Sequence, residues 1–313
     1  MGEAPKPPAQ PARPPEMRGR LRVAQVLAAP ALVAAVVALA RSRAEPPARC
    51  AHGMIALGAR CCGEGQRLDG ERCAGPPRRC AAGMDPTPAG CVAPPRVVRL
   101  PGGLLRVGPG DWEAQGVVAP HQAEIAPFGL DALEVDEARW SACVAAGACS
   151  ALPLSGEPGR PVSGVTLDEA MHFCRRAGGA LPTSDQLAFA AAGAVGRRYA
   201  WGDTGAVCRR AAWGLVAGPC AWGATGPELA GSHPDGASPE GVLDLAGNVA
   251  EWAIGPDRSA CPEGSASTCD RAEARGGSFA DGAASALRAW QRRALPADTR
   301  AHDLGFRCAY PAT

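Results

Sequence analysis

Two carboxylates and a turn make the segment Asp244-Leu-Ala-Gly-Asn-Val-Ala-Glu251 a candidate metal site. The Gly247-Asn248 dipeptide between them favours a tight turn that bends backbone carbonyls inward. Calcium is a hard ion that takes carboxylate and carbonyl oxygens from a tightly turned backbone. The segment therefore predicts a structural calcium site. The alternative is that Asp244 and Asn248 only build the turn while Glu251 pairs with an arginine.

The 14 cysteines are the second set of residues with chemistry of their own. They fall largely in short-range pairs, which is typical of proteins oxidised outside the cytosol. Cys50 to Cys61, Cys62 to Cys73 and Cys80 to Cys91 each enclose ten residues and form an internal repeat. The repeat predicts three small disulfide loops, although six cysteines permit other connectivities. Zinc is the rival interpretation, but the close Cys-x-x-Cys spacing of zinc knuckles is absent.

Composition indicates a loop-rich chain, with 40 glycines and 31 prolines. We expect disulfides to staple the loops, and each remaining short-range pair spans glycine or proline. These pairs are Cys143 with Cys149, Cys208 with Cys220, and Cys261 with Cys269.

Length and charge limit the function classes. A chain of 313 residues with 46% hydrophobic content can bury a sizeable core. The formal net charge is +1, so no global field attracts nucleic acid, and we expect no nucleic-acid partner. The histidines show no metal-ligand spacing, and a serine hydrolase is unsupported because Gly-x-Ser-x-Gly is absent.

The N-terminal residues predict export. Residues 1–22 form a Pro-rich basic tail, and residues 23–40 are an uncharged run dominated by Ala, Val and Leu. That run is at the short end of a membrane-spanning helix. We expect a signal anchor that places the rest of the chain on the periplasmic or extracellular side. The alternatives are a signal peptide cut after Ala38-Leu-Ala40, giving a secreted protein, and a buried core helix.

Local signals predict several elements of a large domain. Val97 to Gly108 alternates apolar residues about a Pro-Gly-Gly turn and predicts a hairpin. Asp136 is placed to cap a helix, and Thr166 with Glu169 has capping-box spacing before another. Leu181-Pro-Thr-Ser-Asp-Gln-Leu187 predicts a further capped helix.

Six short sequence motifs occur in the same order as in one known family. They are Glu134-Val-Asp-Glu-Ala-Arg-Trp140, Leu181-Pro-Thr-Ser-Asp-Gln-Leu187, Trp201-Gly-Asp203, Gly241-Val-Leu-Asp-Leu-Ala-Gly-Asn-Val-Ala-Glu-Trp252, Arg275-Gly-Gly-Ser-Phe279 and Gly305-Phe-Arg-Cys308. Their succession resembles the formylglycine-generating enzyme, or sulfatase-modifying-factor, family. The resemblance implies an α+β, C-type-lectin-like, loop-rich fold over residues 96–313. The cysteine spacing predicts a disulfide-rich repeat or stalk before it, over residues 41–95. The resemblance also implies a disulfide between Cys174 and Cys308.

The resemblance names the calcium ligands residue by residue. They would be the side chains of Asp244 and Glu251 with the backbone oxygens of Gly247 and Val249. A second calcium site of the family is expected to be lost, because Ala211-Ala212-Trp213 stands where an asparagine would be.

The catalytic positions of the family are degenerate. Family members bind copper(I) between two thiolates, and the corresponding positions here are Asp281 and Ala286. Copper(I) is a soft ion that selects sulfur ligands, so we do not expect copper. Ala250 replaces a tryptophan of the family's substrate cleft, and Ser278 is retained.

Polar residues remain near the expected cleft, and the candidates there are Ser278, Arg288 and Trp290. Arg288 and Arg293 are suited to clamp a carboxylate or an anionic peptide. The alternative is that these arginines are structural and pair with the nearby aspartates Asp281, Asp298 or Asp303.

These observations predict an exported, membrane-anchored, non-catalytic family member that binds a peptide, glycan or protein ligand. The first alternative is an oxidoreductase of the same family with a displaced or different active site, for example one built on Asp281 and Arg288. The second is a structural surface protein without a saturable ligand.

Overall fold

A computed structural model describes residues 50, 54–58, 60–70, 72–80, 85–87, 90–92, 95–108, 120–255 and 272–312. The predicted tail, the predicted signal segment and the predicted pair of Cys261 with Cys269 lie outside the described residues. Within the described ranges, no helix has the length and apolar character needed to cross a membrane.

The cysteine-rich segment folds as three antiparallel hairpins. They pair β1 (Met54–Leu57) with β2 (Arg60–Gly63), β3 (Arg67–Asp69) with β4 (Arg72–Ala74), and β5 (Asp85–Thr87) with β6 (Gly90–Val92). Disulfides join Cys50 to Cys61, Cys62 to Cys73 and Cys80 to Cys91, with Cα atoms between 5.3 and 5.7 Å apart. These are the pairs that the repeat predicts.

The hairpin module contacts the large domain. Met54 of β1 and the domain residues Leu133 and Leu229 pack around the Cys80–Cys91 pair. The N–H of Cys73 donates to Glu157 Oε1 at 3.2 Å. The repeat therefore buries part of its surface on the domain that follows it.

The described residues of the large domain form three small sheets. Its strands are β7 (Val97–Leu100), β8 (Gly103–Val107), β9 (His121–Ile125), β10 (Phe128–Asp131), β11 (Ala250–Ala253), β12 (Ala272–Arg275), β13 (Arg292–Leu295), β14 (Leu304–Gly305) and β15 (Ala309–Pro311). One antiparallel sheet has the order β15-β10-β7. A second has the order β13-β12-β11-β14, in which β11 and β14 run parallel. Strands β8 and β9 form the third sheet.

The predicted hairpin over Val97 to Gly108 is wrong, because β7 pairs with β10 and β8 pairs with β9. Gly102 and Gly103 have φ angles of 70° and 135° and turn the chain through a corner. A Cβ atom at Gly102 would lie 2.2 Å from the carbonyl oxygen of Ile125. Glycine therefore allows this corner to pack directly on the corner between β9 and β10. The apolar residues on either side find their partners in those two strands instead of in each other.

Three α-helices begin at the predicted caps. They are α1 (Glu137–Ala145), α2 (Leu167–Arg176) and α3 (Ser184–Ala192). The Arg139 N–H donates to Asp136 Oδ1 at 2.8 Å before α1. Thr166 and Glu169 form a reciprocal capping box before α2, and Thr183 forms one with Gln186 before α3. These side chains satisfy backbone donors that the first helical turn leaves unpaired.

An aromatic cluster and a disulfide tie the helices to the C-terminal strands. Trp140 of α1 stacks on Phe173 of α2 at 5.8 Å, and Phe306 meets Phe173 edge-on at 5.4 Å. Beside them the disulfide Cys174–Cys308 links α2 to the segment before β15. Two loop disulfides, Cys143–Cys149 and Cys208–Cys220, also form as predicted. The molecule is therefore α+β, loop-rich and short of helix, as the sequence predicts.

Candidate functional site

The loop after β12 positions the retained serine. Gly276 and Gly277 follow the strand with φ angles of 91° and 69°. A Cβ atom at Gly277 would lie 2.7 Å from the carbonyl oxygen of Ala286, so glycine is needed where the chain passes that residue. Ser278 comes next and is fully buried. The structure thus brings the loop that holds Ser278 next to Ala286, one of the two positions predicted to be degenerate.

Two carboxylates hold the Ser278 hydroxyl. Its Oγ lies 2.9 Å from Asp281 Oδ2 and 3.0 Å from Asp303 Oδ2, and the Ser278 N–H donates to Asp281 Oδ2 at 2.8 Å. Arg293 Nη2 lies 3.8 Å from Asp303 Oδ2. Arg293 therefore pairs with an aspartate, as the alternative to a ligand-clamping role predicts. A serine hydroxyl has a single proton and donates to one carboxylate at a time.

The resulting site offers hard oxygen atoms. Asp281 supplies a carboxylate that accepts a hydrogen bond from the Ser278 N–H and shares the Ser278 hydroxyl proton with Asp303. The side chain of Ala286 supplies no ligand atom. In the described part of the chain every cysteine belongs to a disulfide. A soft ion that prefers sulfur therefore finds no free thiolate among the described residues.

Arg288 and Trp290, the other cleft candidates, have different surroundings. The guanidinium carbon of Arg288 lies 5.4 Å from the centre of the Tyr199 ring, which stacks on Trp201 at 5.0 Å. Burial lowers the pKa of Arg288. Trp290 lines a cavity of about 560 Å³ together with residues of β8 and α3. The three candidates named from the sequence therefore belong to separate local environments.

The predicted calcium segment forms a sharp turn. Asp244 and Asn248 have φ angles of 53° and 59°, a region that Asp and Asn tolerate better than most residues. Asp244 Oδ2 accepts a hydrogen bond from the N–H of Gly231 at 2.6 Å, and Asn248 Oδ1 accepts one from the N–H of Glu228 at 2.9 Å. The two side chains thereby fix a neighbouring loop to the turn.

Glu251 is paired with Arg307. Arg307 Nη2 and Nε donate to the two carboxylate oxygens of Glu251 at 2.6 and 2.7 Å, and both side chains are buried. The guanidinium also donates to the carbonyl oxygens of Asp131 and Leu243. Burial opposes the charge on Arg307, but Glu251 raises the pKa of the guanidinium. The sequence offered an arginine partner for Glu251 as the alternative to a calcium site, and Arg307 is such a partner.

Sequence reasoning missed Glu134 as a member of this cluster. Its carboxylate oxygens are buried and have no hydrogen-bond donor among the described residues. Burial raises the pKa of Glu134 well above its usual range, and the neighbouring Asp244 raises it further. A hydrogen bond between the Glu134 and Asp244 carboxyl groups therefore forms only when one of them carries a proton. Glu134 is the first residue of one of the family's sequence motifs, but no local pattern connects it to Asp244.

The predicted calcium ligand set fits this geometry in part. Oxygen donors and excess negative charge suit a hard cation, but Arg307 engages both side-chain oxygens of Glu251. Among the residues that the structure describes, no group of three or more His, Cys, Asp or Glu side chains is arranged to hold a metal ion. The set of Asp244, Gly247, Val249 and Glu251 stays a prediction.

The region of the second calcium site is apolar. Ala211, Ala212 and Trp213 are buried in a hydrophobic cluster with Phe279 and Leu287. The loss of that site also stays a prediction.

Comparison with known proteins supports the family that the order of sequence motifs indicates. The model of the sulfatase-modifying factor enzyme 1-like domain matches residues 84–312. A formylglycine-generating enzyme of Streptomyces coelicolor is 28% identical over 304 aligned residues, which cover 74% of this chain and 95% of the relative.

Two solved structures share the fold. The first is the Treponema denticola variable protein 1, with a TM-score of 0.55 and 18% identity over 70% of this chain and 95% of that one. The second is PvdO from Pseudomonas aeruginosa, with a TM-score of 0.56 and 19% identity over the same shares. Since the matched domain covers more than half of the sequence, the chain belongs to the formylglycine-generating enzyme, or sulfatase-modifying factor, family.

Proposed function

We propose that this chain is a non-catalytic member of its family that acts as an exported, membrane-anchored binding module. The observation that carries the proposal is the chemistry at the two expected thiolate positions. Asp281 is hydrogen-bonded to Ser278, and Ala286 has no ligand atom. Copper(I) chemistry needs soft sulfur ligands, which neither side chain provides.

The cysteines support both the non-catalytic role and the export of the chain. Six disulfides occupy all the cysteines of the described residues, so a displaced copper pair would require one of these bonds to break. Disulfides persist in oxidising compartments, which supports export of the domain. The apolar run over residues 23–40 supports an anchor.

The name of the Streptomyces relative supplies the alternative, which is formylglycine formation. The full chain, produced with export to an oxidising compartment, is incubated with oxygen, Cu(I) and a peptide that carries a sulfatase-type cysteine. We expect no aldehyde by mass spectrometry and no bound copper by elemental analysis. Aldehyde formation by this chain would overturn the proposal.

A variant with the thiol pair restored is the matched control. Asp281→Cys combined with Ala286→Cys returns two sulfur ligands to the loop beside Ser278, and we expect this variant to bind Cu(I). Copper bound equally well by the unmodified chain and by this variant would also overturn the proposal, because the metal would then be held elsewhere.

A further inference from the structure

We propose that the cavity beside β8 binds an extended acidic peptide of a partner protein. This inference rests on the proposed binding role and specifies its ligand class. The cavity has a volume of about 560 Å³, within the range of ligand pockets in proteins. Half of its lining residues are apolar, and the lining comes from β8, α3, the loop after α3 and the segment before β13. The apolar lining residues are Leu105, Val107, Ala188, Ala192, Ala289 and Trp290.

One edge of β8 has no partner strand among the described residues. The strand pairs with β9 on one side, and no backbone hydrogen bond joins its other edge to a described residue. Consecutive residues from Leu105 to Gly108 line the cavity. Alternate side chains of a strand point to opposite faces, so consecutive residues reach one cavity where the strand presents its edge. An exposed edge accepts an extended peptide through main-chain hydrogen bonds.

Trp290 adds an unsatisfied hydrogen-bond donor at this place. Its ring N–H is shielded from solvent and has no acceptor in the described part of the chain. A carbonyl or carboxylate of a bound peptide would accept this hydrogen bond and remove the penalty of an unpaired buried donor. Tryptophan is also enriched among the residues that contribute most to binding at interfaces.

Charge selects an acidic peptide. The charged lining residues are Arg106, Arg197, Arg198 and Asp203. Arg197 pairs with Glu240 at 3.3 Å, and Asp203 accepts a hydrogen bond from the backbone N–H of Arg198 at 2.9 Å. Arg106 is exposed and forms no ion pair with a described residue. The exposed guanidinium of Arg106 is therefore the charge at the cavity that an acidic side chain next to an apolar one complements.

A labelled nonapeptide in which leucine alternates with glutamate is the probe. It is titrated into the full chain at low and at physiological salt, and we expect saturable binding that weakens as salt rises. The control peptide has lysine in place of glutamate and is expected to bind at least tenfold more weakly. Equal binding of the two peptides overturns the proposal.

Two variants and a modified probe locate the site. Trp290→Phe keeps an aromatic ring but removes the N–H, and we expect about tenfold weaker binding. Arg106→Ala is expected to weaken binding more at low salt than at high salt. Arg67→Ala removes an exposed arginine from β3 and is the matched control, with unchanged binding expected. A probe with N-methyl groups on alternate backbone amides cannot add as a strand and is expected not to bind.

Undiminished binding to Trp290→Phe and Arg106→Ala, or of the N-methylated probe, overturns the proposal. Competition by free N-acetylglutamate at the same concentration as the peptide would show a site for small carboxylates and overturns it as well. Circular dichroism confirms that both variants are folded. The aldehyde assay is independent of these measurements. Failure of peptide binding therefore leaves the non-catalytic role standing, and aldehyde formation refutes that role whatever the peptide result.

Discussion

Buried charge is concentrated under the Asp244 turn. Glu134 and Glu251 are each 2% exposed and Asp244 is 5% exposed. Burial is the largest cause that raises the pKa of each of the three carboxyl groups. Arg307 bonds directly to Glu251, whereas Glu134 has no donor among the described residues. Protonation of Glu134 is therefore the least costly way to relieve the charge that it shares with Asp244.

We expect Glu134→Gln to resist the loss of stability that the unmodified chain shows at rising pH. The folded-state pKa of Glu134 is raised, so its contribution is complete below the unfolded-state pKa and is lost as the pH rises through the folded-state pKa. An amide has no such proton to lose. The variant should gain relative to the unmodified chain by at most about 1.4 kcal/mol per pH unit as the pH rises above the unfolded-state pKa of the carboxyl group. Urea unfolding measures the difference.

The control for this experiment is Glu124→Gln, which changes an exposed glutamate on β9. Its unfolding free energy should follow that of the unmodified chain across the pH range. Parallel pH profiles for the two variants would contradict the role assigned to Glu134.

Metal addition tests the predicted calcium site at Asp244. If Asp244 is a ligand, Ca²⁺ at about 100 times its Kd raises the free energy of unfolding by about 2.7 kcal/mol. Asp244→Ala should abolish this gain. Mg²⁺ is the control ion, because it is smaller and demands near-octahedral geometry. An unfolding temperature that is the same in Ca²⁺ and in EDTA would contradict the predicted calcium site.

At the scale of elements, helix starts are readable from the sequence and strand partners are not. The caps Asp136 and Thr166 were predicted correctly, because each side chain bonds a backbone N–H three residues away. The third helix begins inside the predicted segment Leu181 to Leu187. The partners of β7 and β8 were predicted wrongly. A Pro-Gly-Gly sequence is compatible with a hairpin and with a corner, and the contact of Gly102 with the chain near Ile125 selects the corner.

Thr166→Ala should lower the free energy of unfolding by about 1 kcal/mol, the usual cost of losing a helix cap. The Thr166 Oγ1 accepts from the N–H of Glu169 at 3.3 Å, and alanine leaves that donor without its cap. Urea unfolding measures the change. Ser141→Ala, at an exposed position inside α1, is the control and should change stability by less than about 0.5 kcal/mol. Equal effects of the two substitutions would contradict the capping role.

At the scale of the whole molecule, one disulfide adds to the long-range order that the sheets provide. Cys174–Cys308 joins positions separated by 134 residues and ties α2 to the C-terminal strands. The other pairs in the described part of the chain close short loops, with separations of 6 to 12 residues. A loop-rich chain gains most from the bond that restricts the largest part of its unfolded ensemble.

Removal of the long-range bond should therefore cost more than removal of a local one. The chain-entropy model assigns about 5 kcal/mol to Cys174–Cys308 and about 2 kcal/mol to Cys143–Cys149. Replacement of each pair by serine, followed by guanidinium unfolding, compares the two costs. A larger loss for the Cys143–Cys149 pair would mean that local strain or packing outweighs chain entropy.

By itself the sequence was enough to predict the family, the six disulfide pairs seen in the described residues and the helix starts, because each is recorded in short motifs, spacings or single residues. Only the tertiary structure decided that Arg307 engages Glu251, that Glu134 joins Asp244 and that Trp290 lines a cavity beside β8. These contacts join residues far apart in the chain. Packing and burial select them from many partners of equal chemical suitability, so no local pattern records them.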